Sequence, residues 1–369
     1  MGSPRVALVS GFWGQNIGNA FFNIGGKWIL DQLFGPENVS FIQDQPAYRT
    51  FHKKITGNPP NDFNLLNYVD VDYVVLQGPM LTSSFRAIWE NAFREYKNKG
   101  TKVILLGAAL FKFTEEEKCS VREFLDEYPP CIISTRDHYS YEVIKDCAEF
   151  TYSGIDSAFF VPRVYNPISL NCAPYITINF DRWPEPDISI NKKPFTRSAT
   201  NNIDYYFEYL EYSWKLRSPR FQHKMSTLGK WQSYLGALVD FRSLPKEIGG
   251  YQIVRPEHRF NPHITWKIYK HSNALASDEP FTYFTIYANT KLTLSDRVHA
   301  CVATLAYGKP AMLFTPSPRA RLFERLALYD IKSCPVVLDE GLLKKEQENE
   351  IEFLSNAIEQ ISRDRTKSL

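Results

Sequence analysis

The first half of the chain alternates continuous apolar runs with stretches whose apolar residues recur at helical spacing. The runs that we interpret as buried strands are Arg5–Ser10, Val39–Ile42, Tyr73–Gln77, Val103–Gly107 and Cys131–Ser134. The helix-like stretches between them are Phe21–Leu33, Ser84–Lys99, Glu115–Tyr128 and Tyr139–Cys147. Strands that are apolar on both faces belong in a parallel sheet that helices cover on both sides. We therefore predict a doubly wound α/β domain over residues 1–165.

The same alternation stops and then resumes in the second half. A linker rich in Pro and Asn contains one candidate strand, Tyr175–Phe180. The aromatic stretches Tyr205–Leu216 and Lys230–Phe241 that follow are helix-like, and we predict a helical insertion over residues 201–241. A chain of 369 residues fits two domains of ordinary size. The sequence therefore predicts a second Rossmann-like domain over residues 166–369, which faces the first across a cleft.

The net charge and the composition limit the classes of binding partner and the cellular compartment that the sequence predicts. The net charge of +2 argues against a nucleic-acid partner, because that affinity depends on neutralising many phosphates. No apolar run approaches the roughly 18–20 residues that span a bilayer, and the opening Met1–Gly11 stretch indicates a buried strand rather than a signal peptide. The six cysteines are scattered without a Cys-x-x-Cys pair, so we expect a reducing, cytoplasmic setting and no metal site.

A loop rich in glycine and asparagine follows the first strand. It runs from Gly11 to Asn19 and contains Gly14, Asn16 and Gly18. Glycines bring backbone N–H groups close to a ligand, and the helix that follows points its positive end there. The pattern favours binding of a phosphate or carboxylate; the alternative is a tight turn in which glycine serves packing alone. Neither a Gly-x-Gly-x-x-Gly pattern nor a Walker lysine is present, which argues against nicotinamide and P-loop chemistry.

Arginines stand at the ends of two further strands. Arg136 and Asp137 follow the strand that ends at Ser134, and Arg255 ends a strand of the second half. An arginine at a strand end can reach into the cleft and bind an anion, with Asp137 pairing it or capping the next helix. The alternatives are an Arg–Asp pair that joins two elements and, for Arg255, a solvated strand end.

The most specific candidate motif runs from Ser295 to Ala300 (Ser-Asp-Arg-Val-His-Ala). It lies at the end of a strand and opens an apolar helix. Arg297 supplies a planar cationic fork that suits a carboxylate or phosphate. His299, in the first helical turn, can donate a proton or bind a phosphate. The alternative is a helix cap by Ser295 or Asp296 with a buried, satisfied histidine.

Together these motifs resemble the polysaccharide pyruvyl transferase family. The segments that carry the resemblance are Gly14–Asn19, Arg136-Asp137 with Ser140, Asp156 with Phe159, and Ser295–Ala300 with Gly308 and Pro310. The resemblance implies a two-domain fold like that of the GT-B glycosyltransferases. It also implies transfer of an enolpyruvyl-derived group from phosphoenolpyruvate to sugar hydroxyls, usually as a cyclic ketal. Phosphoenolpyruvate would be the donor substrate, and no cofactor or metal is implied.

The resemblance also suggests roles for individual residues. Arg297 would hold the carboxylate or phosphate of phosphoenolpyruvate, and His299 would bind the phosphate or protonate the enol carbon. The anion site that we predict further includes Ser295, Arg136 and Arg255. A glycan or glycosyl-lipid acceptor would lie on the side of the first domain, against Gly14, Asn16, Gly18 and Asn19.

The chain departs from the family pattern at the end of the first loop, where Gly18-Asn19 replaces Gly-Asp. Asparagine cannot take a proton from a hydroxyl. Either the base is another carboxylate, namely Asp137, Asp156 or Glu257, or this member does different chemistry. The aromatic insertion is the second departure; it fits a sugar-stacking platform, a peripheral contact with a membrane-borne acceptor, or ordinary core.

Two other functions stay open. One is a nucleotide-sugar glycosyltransferase on the same architecture, with Glu324 as a candidate to grip a ribose. The other is a non-catalytic family member that binds a glycan or an anion, for which the loss of the Gly-Asp pair argues. The acceptor sugar, the stereochemistry of the product and the oligomeric state are not determined by the sequence.

Overall fold

The computed structural model describes residues 3–11, 13–14, 16–42, 65–181, 183–195, 204–259, 270–315 and 317–367. The first domain is built on a six-stranded, fully parallel sheet in the order β2-β1-β3-β4-β5-β6. Its strands are β1 Val6–Val9, β2 Val39–Ile42, β3 Tyr73–Gln77, β4 Lys102–Ala108, β5 Ile132–Thr135 and β6 Phe150–Ser153. Its helices are α1 Gly18–Phe34, α2 Phe85–Lys99, α3 Glu115–Glu127, α4 His138–Ile144 and, after a 3₁₀ turn at Ser157–Phe160, α5 Val161–Val164.

Both faces of this sheet are buried, as the continuous apolar runs predict. Val6 and Leu8 of β1 point into an apolar cluster that includes residues of α1, whereas Ala7 and Val9 point into a second cluster formed with α2 and α3. Successive residues of a strand point to opposite faces. An apolar strand without alternation therefore requires cover on both sides.

Local sequence sets the ends of the helices. α2 ends at Gly100, whose φ of 72° lies in the left-handed region that glycine favours. α3 begins after Thr114, whose side-chain oxygen accepts a hydrogen bond from the backbone N–H of Glu117. α4 begins after Asp137, whose carboxylate accepts from the N–H of Ser140.

The second domain contains another six-stranded sheet, in the order β11-β12-β7-β14-β15, with β13 beside β12. Its strands are β7 Tyr175–Asn179, β11 Glu247–Ile248, β12 Tyr251–Pro256, β13 Ala274–Leu275, β14 Thr293–Ser295 and β15 Ala311–Leu313. All pairings are parallel except that of β11 with β12. The helices that accompany it are α8 Pro280–Asn289 and α9 Val298–Ala306, with 3₁₀ segments at Pro318–Leu326 and Tyr329–Lys332, and the chain ends in α10 Glu340–Lys367.

The insertion in the second domain is partly a sheet, which corrects the helical prediction for Tyr205–Leu216. An antiparallel sheet is formed by β8 Asp187–Asn191, β10 Tyr212–Arg217 and β9 Asp204–Tyr209, in that order. Leu210 and Glu211, both at positive φ (51° and 64°), make the tight turn between β9 and β10. Phe207 and Trp214 stack in parallel and cover one face of the six-stranded sheet of the second domain. Aromatic residues favour strands, and this preference overrides the helical spacing.

Two short helices complete the insertion. α6 Arg220–Leu228 and α7 Lys230–Leu238 pack against each other, so the helical prediction for Lys230–Phe241 is confirmed over most of its length.

The two domains share one apolar core. Phe21 of α1 contacts Phe284 of α8, with ring centroids 4.8 Å apart, and packs edge-on against His258. The last helix, α10, returns to the first sheet: Phe353 stacks on Tyr152 of β6 with centroids 4.8 Å apart. The division at residue 165 stays a prediction, and the return of α10 to the first sheet is a contact that the sequence did not indicate.

Two Rossmann-like domains, each with a parallel sheet, confirm the predicted fold class, the α/β architecture of GT-B-like proteins. Within the part of the chain that the structure describes, every helix is too short or too polar to cross a lipid bilayer.

Candidate functional site

Two of the segments singled out in the sequence, the loop after β1 and the segment after β14, lie where the strand order of their sheet reverses. In the first sheet the chain moves from β1 to β2 on one side and then to β3 on the other, so the loop after β1 lies at the switch point. In the second sheet β7 lies between β12 and β14, and the segments after β7 and β14 lie at the corresponding point. Open α/β sheets bind ligands in the crevice at such points.

The glycine- and asparagine-rich loop is held by a buried amide relay. Asn23 accepts hydrogen bonds through Oδ1 from the N–H of Gly11 (3.1 Å) and from Nε1 of Trp13 (3.0 Å). Its Nδ2 donates to Oε1 of Gln77 over 2.9 Å, and Nε2 of Gln77 donates to the carbonyl of Phe22. Side chains of α1 and β3 therefore hold Gly11 and Trp13 of this loop in place.

Asn16 and Arg297 join the two domains across the cleft. Nη2 of Arg297 donates to Oδ1 of Asn16 over 2.6 Å. Nδ2 of Asn16 donates in turn to Oδ1 of Asn19 over 2.9 Å. Asn19 is buried at the start of α1 and fixes the orientation of the Asn16 amide. The residue that departs from the family pattern therefore accepts a hydrogen bond, as the carboxylate of an aspartate would.

His299 lies beside a buried ion pair of the first domain. Its Nε2 is 3.4 Å from Oδ2 of Asp156, and that carboxylate accepts a hydrogen bond from Nη1 of Arg136 over 2.7 Å. Arg136 and Asp156 are both 2% exposed at the side chain. The structure thus brings together Arg136, Asp156 and His299, which lie after β5, after β6 and in α9.

The N-terminal ends of α1 and α9 meet at this histidine. A Cβ placed on Gly18 would lie 3.4 Å from both Cβ and Nδ1 of His299, so the first residue of α1 lies close to the first turn of α9. Each helix N-terminus presents backbone N–H groups and a partial positive charge. Two converging N-termini beside Arg297 favour a ligand that is an anion.

Burial and the neighbouring charges set the protonation states of this group. Burial lowers the pKa of His299, against the attraction of Asp156, which favours the neutral imidazole near pH 7. Although burial opposes its ionisation, the charge of Arg136, and that of His299 once the imidazole is protonated, hold the pKa of Asp156 well below its ordinary value. Asp156 is therefore a carboxylate, and it stabilises any proton that His299 takes up.

Arg297 also faces acidic residues of its own domain. Its Nε lies 3.5 Å from Oδ2 of Asp181, which follows β7. Asp296 accepts hydrogen bonds from the N–H groups of Asp181 and Trp183. Burial, followed by repulsion from Asp181, raises the pKa of Asp296. The two carboxyl groups lie close together beneath the guanidinium and hold the segment after β7 against the segment after β14.

A cavity of about 330 Å³ adjoins the loop after β1. It is lined by Trp13, Gly14 and Ile17 from the first domain and by Glu257, His258, Ala276, Ser277, Asp278 and Tyr283 from the second. The N–H of Ile17 donates to the carbonyl of His258 over 2.8 Å, which ties the two walls together. An indole, two carboxyl groups and hydroxyl groups around a small cavity are suited to a sugar, whose C–H faces stack on aromatics and whose hydroxyls donate to carboxylates.

Three predicted site residues have structural partners in the protein. Nε and Nη2 of Arg255 bind the carboxylate of Glu185, and both side chains are fully buried. Asp137 caps α4 and accepts from the N–H and hydroxyl of Ser140, the capping alternative considered above. The hydroxyl of Ser295 donates to the carbonyl of Asn179 and accepts from the N–H of Arg297. Their roles in catalysis or anion binding stay predictions.

Three residues of this region were missed by sequence reasoning. Asp181 directly follows a predicted strand, and that position was the available signal. His258, fully buried with Nε2 2.5 Å from the hydroxyl of Tyr287, lies in the segment in which only Arg255 and Glu257 were singled out from the sequence. Glu350 of α10 accepts from the hydroxyl of Ser134 and from the N–H of Ile155. Nothing in the helical pattern around Glu350 distinguishes it from an exposed glutamate.

A sequence profile of the polysaccharide pyruvyl transferases matches residues 16–318. This range covers most of the chain and contains Asn16, Arg136, Asp156, Arg297 and His299. The chain belongs to the polysaccharide pyruvyl transferase family, and the resemblance described from the sequence is confirmed. No curated protein matches the sequence significantly.

Distantly similar solved structures include UDP-N-acetylglucosamine 2-epimerases. Staphylococcus aureus MnaA in complex with UDP is 11% identical, with 94% of this chain and 88% of that chain covered and a TM-score of 0.48. UDP-GlcNAc 2-epimerase from Neisseria meningitidis bound to UDP-GlcNAc is 12% identical, with 98% and 100% covered and a TM-score of 0.46. UDP-N-acetylglucosamine 2-epimerase from Rickettsia bellii is 10% identical, with 98% and 97% covered and a TM-score of 0.47.

Proposed function

We propose that this protein transfers the pyruvyl group of phosphoenolpyruvate to two hydroxyls of a sugar in a glycan or glycosyl-lipid, giving a pyruvate ketal and inorganic phosphate. The observation that carries the proposal is the hydrogen bond from Arg297 to Asn16. It holds a cationic fork in the cleft, in a segment of the chain that also carries His299.

The donor is a small, multiply charged anion. Arg297 offers the fork geometry that binds a carboxylate or phosphate by two parallel hydrogen bonds. The N-terminus of α9 adds backbone donors close to His299, and the N-terminal end of α1 adds a partial positive charge there. Arg136 is held in a buried 2.7 Å pair with Asp156, whereas the contact of Arg297 with Asp181 is longer, at 3.5 Å. The donor anion would therefore draw chiefly on Arg297, the helix ends and a protonated His299.

His299 is suited to protonate the donor. An arriving phosphate adds negative charge beside the ring, which raises the pKa of His299 and lets it take a proton that Asp156 also stabilises. Transfer of that proton to C3 of phosphoenolpyruvate leaves C2 electron-deficient. A sugar hydroxyl then adds to C2 and loses its proton, and a second hydroxyl displaces the phosphate to close the ketal.

The cavity beside the loop after β1 is the place that we propose for the acceptor sugar. Gly14 lines it, in keeping with the predicted acceptor side, and Trp13 offers a face for stacking. Of the predicted bases, Asp137 is occupied as a helix cap and Asp156 by its ion pair. Glu257 lines the cavity, and we assign it the proton of the attacking hydroxyl.

A cytoplasmic reaction fits the chemistry of the chain. All six cysteines are free thiols, which supports a reducing compartment.

Thermal stabilisation by phosphoenolpyruvate tests donor binding, and release of inorganic phosphate in the presence of a sugar panel tests transfer. We expect phosphoenolpyruvate to raise the melting temperature of the wild type but not of Arg297→Ala. His299→Gln should bind the donor more weakly than the wild type, because the protonated imidazole is lost, and should fail to release phosphate. His138→Gln is the matched control, since His138 is exposed.

Stabilisation by UDP and not by phosphoenolpyruvate would favour the alternative function, that of a nucleotide-sugar glycosyltransferase. Binding of phosphoenolpyruvate or a glycan without phosphate release, unchanged in His299→Gln, would indicate a non-catalytic member of the family.

A further inference from the structure

Helix α7 turns an apolar stripe outward into solvent. Trp231, Leu235, Leu238 and Val239 recur at helical spacing and are all exposed, Trp231 at 70%. Phe241, just beyond the helix, is 85% exposed. A surface helix of a globular protein ordinarily points its apolar stripe at the core. The stripe of α7 faces away from it.

The opposite side of α7 explains this orientation. Its small residues face α6: the hydroxyls of Ser233 and Ser226 are 3.3 Å apart. A Cβ on Gly236 would lie 3.0 Å from Cβ of Met225. Small residues allow the two helices to approach closely. The face of α7 that carries small residues therefore packs against α6, and the face that carries the large apolar residues points outward.

The hairpin is also basic. Helices α6 and α7 contain no aspartate or glutamate in the printed sequence, and Arg220 and Lys224 lie on the exposed face of α6 together with Phe221 and Leu228. Residues 217–246 carry six Lys or Arg and a single acidic residue, Asp240, whereas the whole chain has a net charge of only +2. The remainder of the protein is therefore slightly acidic.

We propose that the α6–α7 hairpin docks this protein onto the surface of an anionic phospholipid bilayer. Exposed Trp, Phe and Leu beside Lys and Arg are the composition of helices that lie in the membrane interface. Each basic residue near an anionic surface adds to the attraction. A second copy of the chain fits less well, because a symmetric contact through this face would bring like charges together.

The hairpin lies at the edge of the second domain where the candidate site is found. His223 of α6 stacks on Trp183, with ring centroids 5.1 Å apart, and Trp183 donates its N–H to Asp296 beside Arg297. His223 also lines a cavity of about 370 Å³ with Phe314 and Thr315, which follow β15. Docking would therefore bring the cleft close to a lipid-borne acceptor, although the docking itself does not rest on the proposed activity.

Flotation of the full chain with lipid vesicles tests the inference. Wild type should float with vesicles of phosphatidylcholine and phosphatidylglycerol, and should float little with phosphatidylcholine alone or at high salt. Trp231→Ser/Leu235→Ser and Arg220→Glu/Lys224→Glu should each reduce the vesicle-bound fraction about tenfold or more. Tyr329→Ser is the matched control, since Tyr329 is also 70% exposed but lies outside the hairpin.

Wild-type protein that stays unbound to the anionic vesicles overturns the proposal. So does unchanged binding of both double variants with native circular dichroism. A lipid-free dimer that Trp231→Ser/Leu235→Ser converts to a monomer assigns the stripe to self-association instead. Phosphate release from a soluble acceptor should be unaffected in these variants, so failure of docking and failure of the proposed activity are separable.

Discussion

Arg297 and Asn16 are 281 positions apart in the chain, and their side chains are joined by a 2.6 Å hydrogen bond across the cleft. The bond connects the segment after β14 with the loop after β1. Each of the two lies at the point where the strand order of its sheet reverses. Since Asn19 in turn orients Asn16, three residues from two motifs act as one unit.

The first prediction concerns the coupling of Arg297 with Asn16. Asn16→Ala should weaken phosphoenolpyruvate binding about tenfold, because a hydrogen bond to a charged group contributes about 1.5–3 kcal/mol, part of which water restores. In an Arg297→Ala background the same change should have little further effect. Isothermal titration with phosphoenolpyruvate over the four proteins measures the coupling. Additive effects would show that Asn16 does not act through Arg297.

Asn19 provides a second test. Asn19→Asp should retain the hydrogen bond from Asn16, because a carboxylate also accepts it, and donor binding should change little. Asn19→Ala should release Asn16 and weaken donor binding to about the extent of Asn16→Ala. A large gain of turnover in Asn19→Asp, with a new acidic limb in the pH profile, would instead show that the family aspartate acts as a base.

Glu350 predicts an unusual dependence of stability on pH. Burial raises its pKa from 4.5 to about 7 in the folded protein. The folded state therefore holds this proton more tightly than the unfolded state. The contribution of Glu350 to stability is complete below about pH 4.5 and is lost as the pH rises to about 7, a loss of about 3 kcal/mol.

Glu350→Gln isolates this effect. The amide can donate to Ser134 and accept from Ile155, so the variant should become more stable than the wild type as the pH rises from about 4.5 to about 7, with no further change above. Urea unfolding of both proteins at several pH values measures the difference. His258, whose pKa burial lowers to about 3, destabilises the fold as the pH falls below about 6.5 in both proteins, and its effect cancels in the comparison. A pH-independent difference would contradict the assignment.

A substitution at Gly25 tests how closely α1 packs against the 3₁₀ turn at Ser157–Phe160. A Cβ at this position would lie 1.8 Å from the carbonyl oxygen of Ser157, so Gly25→Ala must displace α1 or the 3₁₀ turn. We expect a loss of about 3 kcal/mol or more in the free energy of unfolding. Gly341→Ala in α10 is the control, because a Cβ there approaches only the side chain of Asp339, at 3.3 Å. Equal stability of the two variants would mean that α1 adjusts at little cost.

The first sheet could be predicted almost strand for strand. The run Tyr73–Gln77 has the bounds that the structure gives it, because a strand buried on both faces must be continuously apolar. The stretch Tyr205–Leu216 was predicted wrongly. Its aromatic residues suit a strand, and the turn at Leu210-Glu211 has no glycine to mark it. The stretch forms two strands of an antiparallel sheet, whose apolar residues bury one face of the six-stranded sheet of the second domain.

Some features of the candidate site could likewise be predicted from the sequence, and others could not. The sequence by itself determined the two α/β halves, the glycine-rich loop and the pairing of Arg297 with His299 in one helical turn, because these follow from local spacing. Only the tertiary structure decided that His299 meets Asp156, that Arg255 is neutralised by Glu185 and that Glu350 returns to the first sheet. Which charges meet depends on how two sheets and a last helix pack, and burial, not sequence spacing, then fixes their protonation.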